Sequence, residues 1–270
     1  MVSSSEKIET TNVAGLGSNS FRDATVILPV INETSALEQA VEIVLNDCGE
    51  DICEFIAIVC HKTSAESLTI CTAFRNRLGD RFKILKQKLP FLGGAIRDGF
   101  DAAKGSHVLV MFSDGESDPV TVKELIVHAK ANPEVIVSAS RWLEGGRFHG
   151  YGPIKIYYNL AAQKFFIWLY QSQLTDLTFG FRIYPIEVVR SIVWTEVKHS
   201  FVFESILKPI RLKLPIAEVP TIWRARHEGE SQLVLMAYLR YLWVGFKYRF
   251  YPLRKMLRKG SSLGLHVGHG

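Results

Sequence analysis

His107-Val108-Leu109-Val110-Met111-Phe112-Ser113-Asp114-Gly115-Glu116-Ser117-Asp118-Pro119 is the stretch that decides the fold. Its first half is apolar at nearly every position, which suits a strand covered on both faces, as in the centre of a parallel α/β sheet. The run then breaks into three acidic residues within five positions, Asp114, Glu116 and Asp118. Carboxylates beside a core are costly unless a cation or solvent compensates. In open α/β sheets the loops at the carboxyl ends of the strands form the ligand crevice, so the stretch predicts both architecture and site. The plainer reading is a turn capped by Ser113 and Asp114 before a helix at Thr121.

The same alternation extends outward. Strands are predicted at Thr25 to Pro29, Glu54 to Val59, Phe82 to Leu85, His107 to Phe112 and Val135 to Ser140, separated by helices at Ser35 to Leu45, Ala65 to Leu78, Gly93 to Ala103 and Thr121 to Ala131. Beyond Arg141 the rhythm weakens into a long helix from Lys155 to Gln171, a turn into a strand at Asp176 to Arg182, a helix from Phe203 to Leu212 and an extended segment from Ile216 to Trp223. The fold class is therefore α/β, a mainly parallel Rossmann-like sheet flanked by helices, with C-terminal amphipathic helices. The crevice candidates are Pro29-Val30-Ile31-Asn32-Glu33, Cys60-His61-Lys62-Thr63, the acidic loop, and Ser140-Arg141.

With 270 residues, 47% of them hydrophobic and 22% charged, the chain can bury a large core, which excludes disordered, collagen-like and disulfide-stapled classes. Cys48, Cys53, Cys60 and Cys71 lack metal-ligand spacing and read as free thiols in a reducing compartment. The net charge of +5 is unevenly distributed. From Ser231 onward seven basic residues (Arg240, Lys247, Arg249, Arg254, Lys255, Arg258, Lys259) meet no acidic one, leaving 25 basic against 27 acidic before them. A terminal basic cluster beside an apolar run fits a membrane surface better than nucleic acid. Gly15-Leu16-Gly17 is no dinucleotide fingerprint, and the chain has no Gly-x-x-x-x-Gly-Lys-Ser/Thr loop, so a P-loop enzyme is disfavoured.

Taken in order, Leu28-Pro29-Val30-Ile31-Asn32-Glu33, Leu92-Gly93-Gly94-Ala95-Ile96-Arg97-Asp98-Gly99-Phe100, Asp114-Gly115-Glu116-Ser117-Asp118-Pro119, Ser140-Arg141, Asp176-Leu177-Thr178-Phe179-Gly180-Phe181-Arg182, and Glu218-Val219-Pro220 followed by Arg226 and Gly229-Glu230-Ser231 resemble glycosyltransferase family 2. Within it they resemble the polyprenyl-phosphate, dolichol-phosphate mannose synthase-like branch, over roughly Thr25 to Leu233. The resemblance implies a GT-A fold and an inverting, metal-dependent transfer of sugar from a nucleoside diphosphate to a polyprenyl phosphate. It assigns the nucleotide-sugar to Pro29, Asn32, Glu33, His61, Thr63, Gly93, Arg97, Ser113, Asp114 and Arg141, and Mg²⁺ or Mn²⁺ to Asp114 and Glu116. It assigns the acceptor phosphate to Lys155, Arg182, Arg226 and Ser231, with Asp114, Arg141 and Arg226 catalytic. Hard divalent cations prefer carboxylate oxygens, and a leaving diphosphate needs its charge neutralised.

The chain also departs from the family pattern. Phe112 stands where the first carboxylate of an Asp-x-Asp is usual, Cys60-His61 replace an acidic pair, Leu89 and Phe91 replace Asn and Gly, and Gln232 replaces Lys. Glu116 would then restore the lost metal charge. Arginines such as Arg141, Arg147, Arg182 and Arg226 suit phosphate through their planar fork, and a phosphate monoester needs no general base near neutral pH. Two alternatives stand beside this reading. One is a saccharide or small-molecule hydroxyl acceptor, with Asp176 or Glu204 as base; the other is a catalytically weak nucleotide-sugar-binding protein.

The expected organisation is a disordered leader over 1–23, a transferase domain over 24–232 with a donor half to 141 and an acceptor half from 142, an amphipathic basic tail over 233–260, and a disordered end over 261–270. The tail is too short in apolar residues to span a bilayer. Its aromatic and basic make-up predicts peripheral attachment to the cytoplasmic face of a membrane, the alternative being a helix packed on the acceptor half.

Overall fold

The computed structural model describes residues 20–150, 152–225, 235–261 and 263, without the side chains of Lys155 and residues 235–238. Most of the leader, Arg226, Ser231, Gln232 and nearly all of the 261–270 end lie outside the described residues.

Seven strands form one sheet in the order β3-β2-β1-β4-β7-β5-β8. They are β1 (Ala24–Val30), β2 (Ile52–Val59), β3 (Phe82–Lys86), β4 (His107–Val110), β5 (Ile136–Ser140), β7 (Arg182–Pro185) and β8 (Ile216–Pro220). All pairings are parallel except those of β7, which runs antiparallel between β4 and β5. A separate two-stranded sheet pairs β6 (Arg147–His149) with β9 (Ile222–Arg224).

The apolar runs are buried on both sides, as their composition requires. Val26, Leu28 and Val30 of β1 share one cluster with Leu37 and Val41 of α1 (Ser35–Cys48), Phe74 of α2 (Ala65–Leu78) and Leu125 of α4 (Thr121–Ala131). Ile27, on the opposite pleat, joins Ile96 and Phe100 of α3 (Phe91–Ala102), Val189 of α6 (Ile186–Ser191) and Phe201 of α7 (Phe201–Arg211). Each such side chain contributes about 1.5–3 kcal/mol of burial. The cysteines are free, and burial pushes the thiols of Cys48 and Cys71 up to about 11, which makes them inert core residues.

Two sequence expectations change. Order reaches further back than residue 24, because Phe21 lies 4.9 Å from the His107 ring and the backbone N–H groups of Arg22 and Asp23 donate to the Ser106 hydroxyl. The tail takes the arrangement given as the alternative, a helix packed on the acceptor half. It forms α8 (Leu235–Phe250), whose Val244 and Tyr248 are fully buried in a third cluster with Phe166 and Tyr170 of α5 (Pro153–Tyr170) and Phe203 and Leu207 of α7. The Tyr170 hydroxyl donates to the Gly245 carbonyl at 2.6 Å. Arg240 and Lys247 close ion pairs of 2.6 and 3.0 Å on Glu196. The apolar inner face of α8 supplies the reason: burying it on α5 and α7 stabilises the helix more than leaving it in water.

Candidate functional site

The chain leaves β1 toward β2 and β3 on one side, then returns to the other side of β1 with β4. The carboxyl ends of β1 and β4 therefore flank a topological switch point, where open α/β sheets bind ligands.

On the β1 side, the Glu33 carboxylate accepts the backbone N–H groups of Ile31 at 2.5 Å and Asn32 at 3.0 Å, holding the loop as a compact turn with Asn32 exposed. Pro29 is half-buried in β1, opposite Ile58. The loop after β2 is tied to it: the Thr63 hydroxyl donates to the Val30 carbonyl at 2.8 Å and accepts from the Cys60 N–H, while Ser64 N–H donates to the Ile31 carbonyl. Thr63 thus braces two loops, and His61 beside it is exposed.

On the β4 side, Asp114 Oδ1 accepts the Glu116 N–H at 3.0 Å across Gly115. Gly115 has φ +77°, a left-handed turn that side-chain-bearing residues rarely adopt, and a Cβ there would lie 3.7 Å from Ala36 at the start of α1. The two loops are therefore neighbours. The acidic loop is held from behind by β9: Arg224 N–H donates to the Glu116 carbonyl, Ser117 bridges Trp223, and Arg224 Nη1 pairs with Asp118 at 3.1 Å. Asp118 is thereby paired, and Asp114 and Glu116 are the loop's two other carboxylates.

The hydroxyls of Ser113 and Ser117 bracket these two carboxylates, are buried, and have no hydrogen-bond partner among the described residues. A buried orphan hydroxyl costs about 1–3 kcal/mol, so each of these has a place for a bound water or a ligand oxygen. The donor set is oxygen only, which fits a hard divalent cation. Among the described residues no group of three or more His, Cys, Asp or Glu could hold a metal by itself, so a cation here would complete its shell from water or a diphosphate.

The second half of the site centres on Asp176, which is fully buried. Its carboxylate receives Arg141 Nε at 2.7 Å and Nη2 at 3.0 Å, and Gln163 Nε2 at 2.8 Å. Burial works against the charged form, but Arg141 beside it holds the Asp176 carboxyl below the usual carboxylate range. The Arg141 guanidinium also lies 4.8 Å over the Phe179 ring and 5.3 Å over Phe148. Glu218 completes the centre by accepting from Thr175 N–H, the Thr175 hydroxyl and Asp176 N–H. Burial pushes its carboxyl up.

Several expected site residues take other roles. Arg182 is fully buried, and its guanidinium donates to Ser138, the Val202 carbonyl, Ser205 and the Leu177 carbonyl, so it is a core strut and not a ligand exposed to an acceptor phosphate. Arg141 turns its Nε–Nη2 fork to Asp176, so it positions the end of β5 and does not present that fork to a phosphate. Gly93 lets α3 approach the 197–201 segment, since a Cβ there would lie 2.5 Å from Phe201, and it faces that segment instead of a nucleotide. Arg97 Nη1 donates to the Thr195 carbonyl at 3.4 Å. The two candidate bases fail on burial: Asp176 is ion-paired, and fully buried Glu204 pairs with Lys208 at 2.5 Å and accepts from the Thr195 and Tyr248 hydroxyls. Lys155 lies in α5, while Arg226 and Ser231 are outside the described residues.

Ser117, Gln163 and Glu218 join the site in the structure, Ser117 and Glu218 from motifs quoted above without a role. Ser117 sits inside the acidic motif and was legible as its polar neighbour; nothing in the sequence distinguishes Gln163 within an apolar helix. Phe91, where glycine is usual in the family it resembles, adopts φ +62° with its ring exposed and Lys198 Nζ 5.4 Å from the ring centroid. The substitution therefore carries backbone strain at the start of α3.

A family model described as Glycosyl transferase family 2 matches residues 25–193. Among solved structures, glucosyl-3-phosphoglycerate synthase from Mycobacterium tuberculosis in complex with Mn²⁺, UDP and phosphoglyceric acid is similar at TM-score 0.67 and 14% identity, over 86% of this chain and 80% of that one. The same synthase with Mn²⁺, UDP-glucose and phosphoglyceric acid gives TM-score 0.64 at 14% identity, over 86% and 81%. A further mycobacterial protein gives 0.64 at 17% identity, over 84% and 74%. At these identities the similarity is one of fold.

Proposed function

The chain belongs to glycosyltransferase family 2 and has its GT-A fold, and from that premise we propose that it transfers a sugar from a nucleoside-diphosphate donor to a phosphate-bearing acceptor, with Mg²⁺ or Mn²⁺ on the diphosphate. The observation that carries the reading is the acidic loop at the β1/β4 switch point, where two orphaned buried hydroxyls bracket Asp114 and Glu116. Asp114 and Glu116 would hold the cation, which would supply charge neutralisation for the departing diphosphate. Asn32 and the Glu33-braced turn would receive the nucleoside, and the Arg141–Asp176 pair would fix the wall on the acceptor side. Arg226, with Lys155 and Ser231, is proposed to meet the acceptor phosphate.

Two acceptors share that chemistry. A polyprenyl phosphate would attack through its own anionic oxygen, with inversion in a single displacement, and needs no base; the burial of Asp176 and Glu204 supports this reading. A small phosphorylated hydroxy acid would attack through a hydroxyl, and the likeness to a synthase crystallised with phosphoglyceric acid supports that one. Incubation of the full chain and Mn²⁺ with a panel of nucleotide-sugars and either acceptor, read by mass spectrometry, decides between them. Product on a neutral saccharide alone would overturn the phosphate reading. Metal-dependent nucleotide binding with no turnover on any acceptor would favour a binding protein.

A further inference from the structure

Helix α5 is apolar on both sides. Its inner side packs Phe166 and Tyr170 into the core and sends Gln163 to Asp176. Its outer side exposes Ile154, Tyr157, Tyr158, Phe165 and Trp168, at the spacing of a single helical stripe, with Ile154 71% and Trp168 73% exposed. Helix α8 repeats the pattern: Val244 and Tyr248 face in, while Leu239, Leu242, Trp243, Phe246 and Phe250 line the outer side. The two stripes join where the Phe165 and Phe246 rings stand 5.9 Å apart. Scattered surface apolar residues are ordinary, but a contiguous surface of ten large ones marks an interaction site.

We propose that the joined outer faces of α5 and α8 dock onto an anionic lipid bilayer, lying in the interface plane. Charge selects this occupant. Residues 145–175, which include all of α5, contain no Asp or Glu, and neither do residues 231–270, which include all of α8. Basic groups accompany the stripe on the same segments: Lys164 of α5 and Arg254, Lys255 and Lys259 just after α8 are exposed, the Arg249 guanidinium carbon lies 5.8 Å from the Phe250 ring centroid, and Arg258 pairs with Asp101 of α3 at 3.5 Å. The carboxylates on α8's packing side are already engaged, Glu196 with Arg240 and Lys247 and Glu204 with Lys208 and the Tyr248 hydroxyl. Trp and Tyr with flanking Lys and Arg is the composition of the headgroup boundary. Among the described residues no helix is long and apolar enough to cross a membrane, so the stripe lies on the bilayer. The proposal holds for either acceptor, because α5 carries the Asp176 contact on one side and the stripe on the other.

The test uses the full chain without nucleotide, sedimented with vesicles of phosphatidylcholine alone or mixed with phosphatidylglycerol. Binding to the mixed vesicles is expected, with a blue shift in tryptophan emission. The double variant Trp168→Ser, Trp243→Ser should lose about tenfold or more in partitioning while keeping its circular dichroism, since both rings are mostly in water. The single variant Ile154→Glu provides a second reading of the same face and should also weaken binding. Failure of the parent chain to bind anionic vesicles would overturn the proposal, as would equal binding by both variants. A lipid-free dimer that the Trp variant dissolves would also overturn it, by assigning the face to a second copy. None of these readouts depends on sugar transfer.

Discussion

Arg141 grips both carboxylate oxygens of Asp176 from one side, through Nε at 2.7 Å and Nη2 at 3.0 Å, with 9% and 0% of the two side chains exposed. The pair ties the end of β5 to the loop that follows α5. Through Gln163 it also ties both to the helix that carries the outer aromatic stripe.

Asp176→Asn should therefore destabilise the protein by about 3–5 kcal/mol, because it leaves the Arg141 charge buried without its counter-ion. Urea unfolding followed by circular dichroism measures this. A loss below about 1 kcal/mol would show that solvent replaces the carboxylate and that the pair is dispensable.

Acid should act on this centre and, separately, on Glu196 beneath α8. Burial opposes ionisation of Asp176 and Glu196, but Arg141 at the first, and Lys247, Ser200 and Arg240 at the second, lower both carboxyls from their ordinary values of 3.8 and 4.5. The unfolded chain therefore takes up these protons first. The stability they confer is complete above the ordinary values and is lost as pH falls through the lowered folded ones. Glu218 has the opposite sign: burial raises its carboxyl above 4.5, so the folded state binds the extra proton and stability declines as pH rises through that window. Denaturation series across pH should show Glu218→Gln removing the second slope and leaving the first.

Gly115→Ala offers a separate check on the acidic loop. Its φ of +77° should cost an alanine about 1–2 kcal/mol, with no new clash, since the nearest side-chain atom would be 3.7 Å away. Thermal unfolding would register the loss, and an unchanged midpoint would mean that the turn relaxes to another conformation.

The sheet was legible because its signal is local: continuous apolar strands alternating with helical periodicity placed α2 and α4 to the residue. The direction of β7 was not, because Arg182–Pro185 reads the same whichever way the strand inserts between β4 and β5. Arg182 shows why the site was only half legible. An arginine after a Gly-Phe motif resembles a phosphate ligand until the fold encloses it with Ser138 and Ser205 from distant elements. The acidic loop was readable because three carboxylates after a strand are costly in any fold. Helix α8 left two readings open for the reverse reason: its composition records two apolar faces, and only packing shows that one is inside.

The orphaned hydroxyls give the sharpest test of the acidic loop, because two effects should move in opposite directions. If Ser113 and Ser117 are kept for a ligand, each is unsatisfied in the ligand-free protein and works against stability there. Ser117→Ala should then raise ligand-free stability by about 1 kcal/mol while weakening binding of nucleoside diphosphate with Mn²⁺, and Ser113→Ala should do the same. Asp114→Ala should abolish transfer, and Glu116→Gln should shift the Mn²⁺ requirement upward, since among the described residues the loop has two carboxylates besides the Arg224-paired Asp118 and losing one leaves the diphosphate under-neutralised. Thermal midpoints without ligand and calorimetric titration of a nucleoside-diphosphate panel with Mn²⁺ read the two effects separately. A serine variant that is less stable without ligand and binds nucleotide as tightly as the parent would show that the hydroxyls serve the fold. The oxygen-donor reading of this loop would then rest on Asp114 and Glu116 alone, and an unchanged Mn²⁺ profile in Glu116→Gln would remove Glu116 as well.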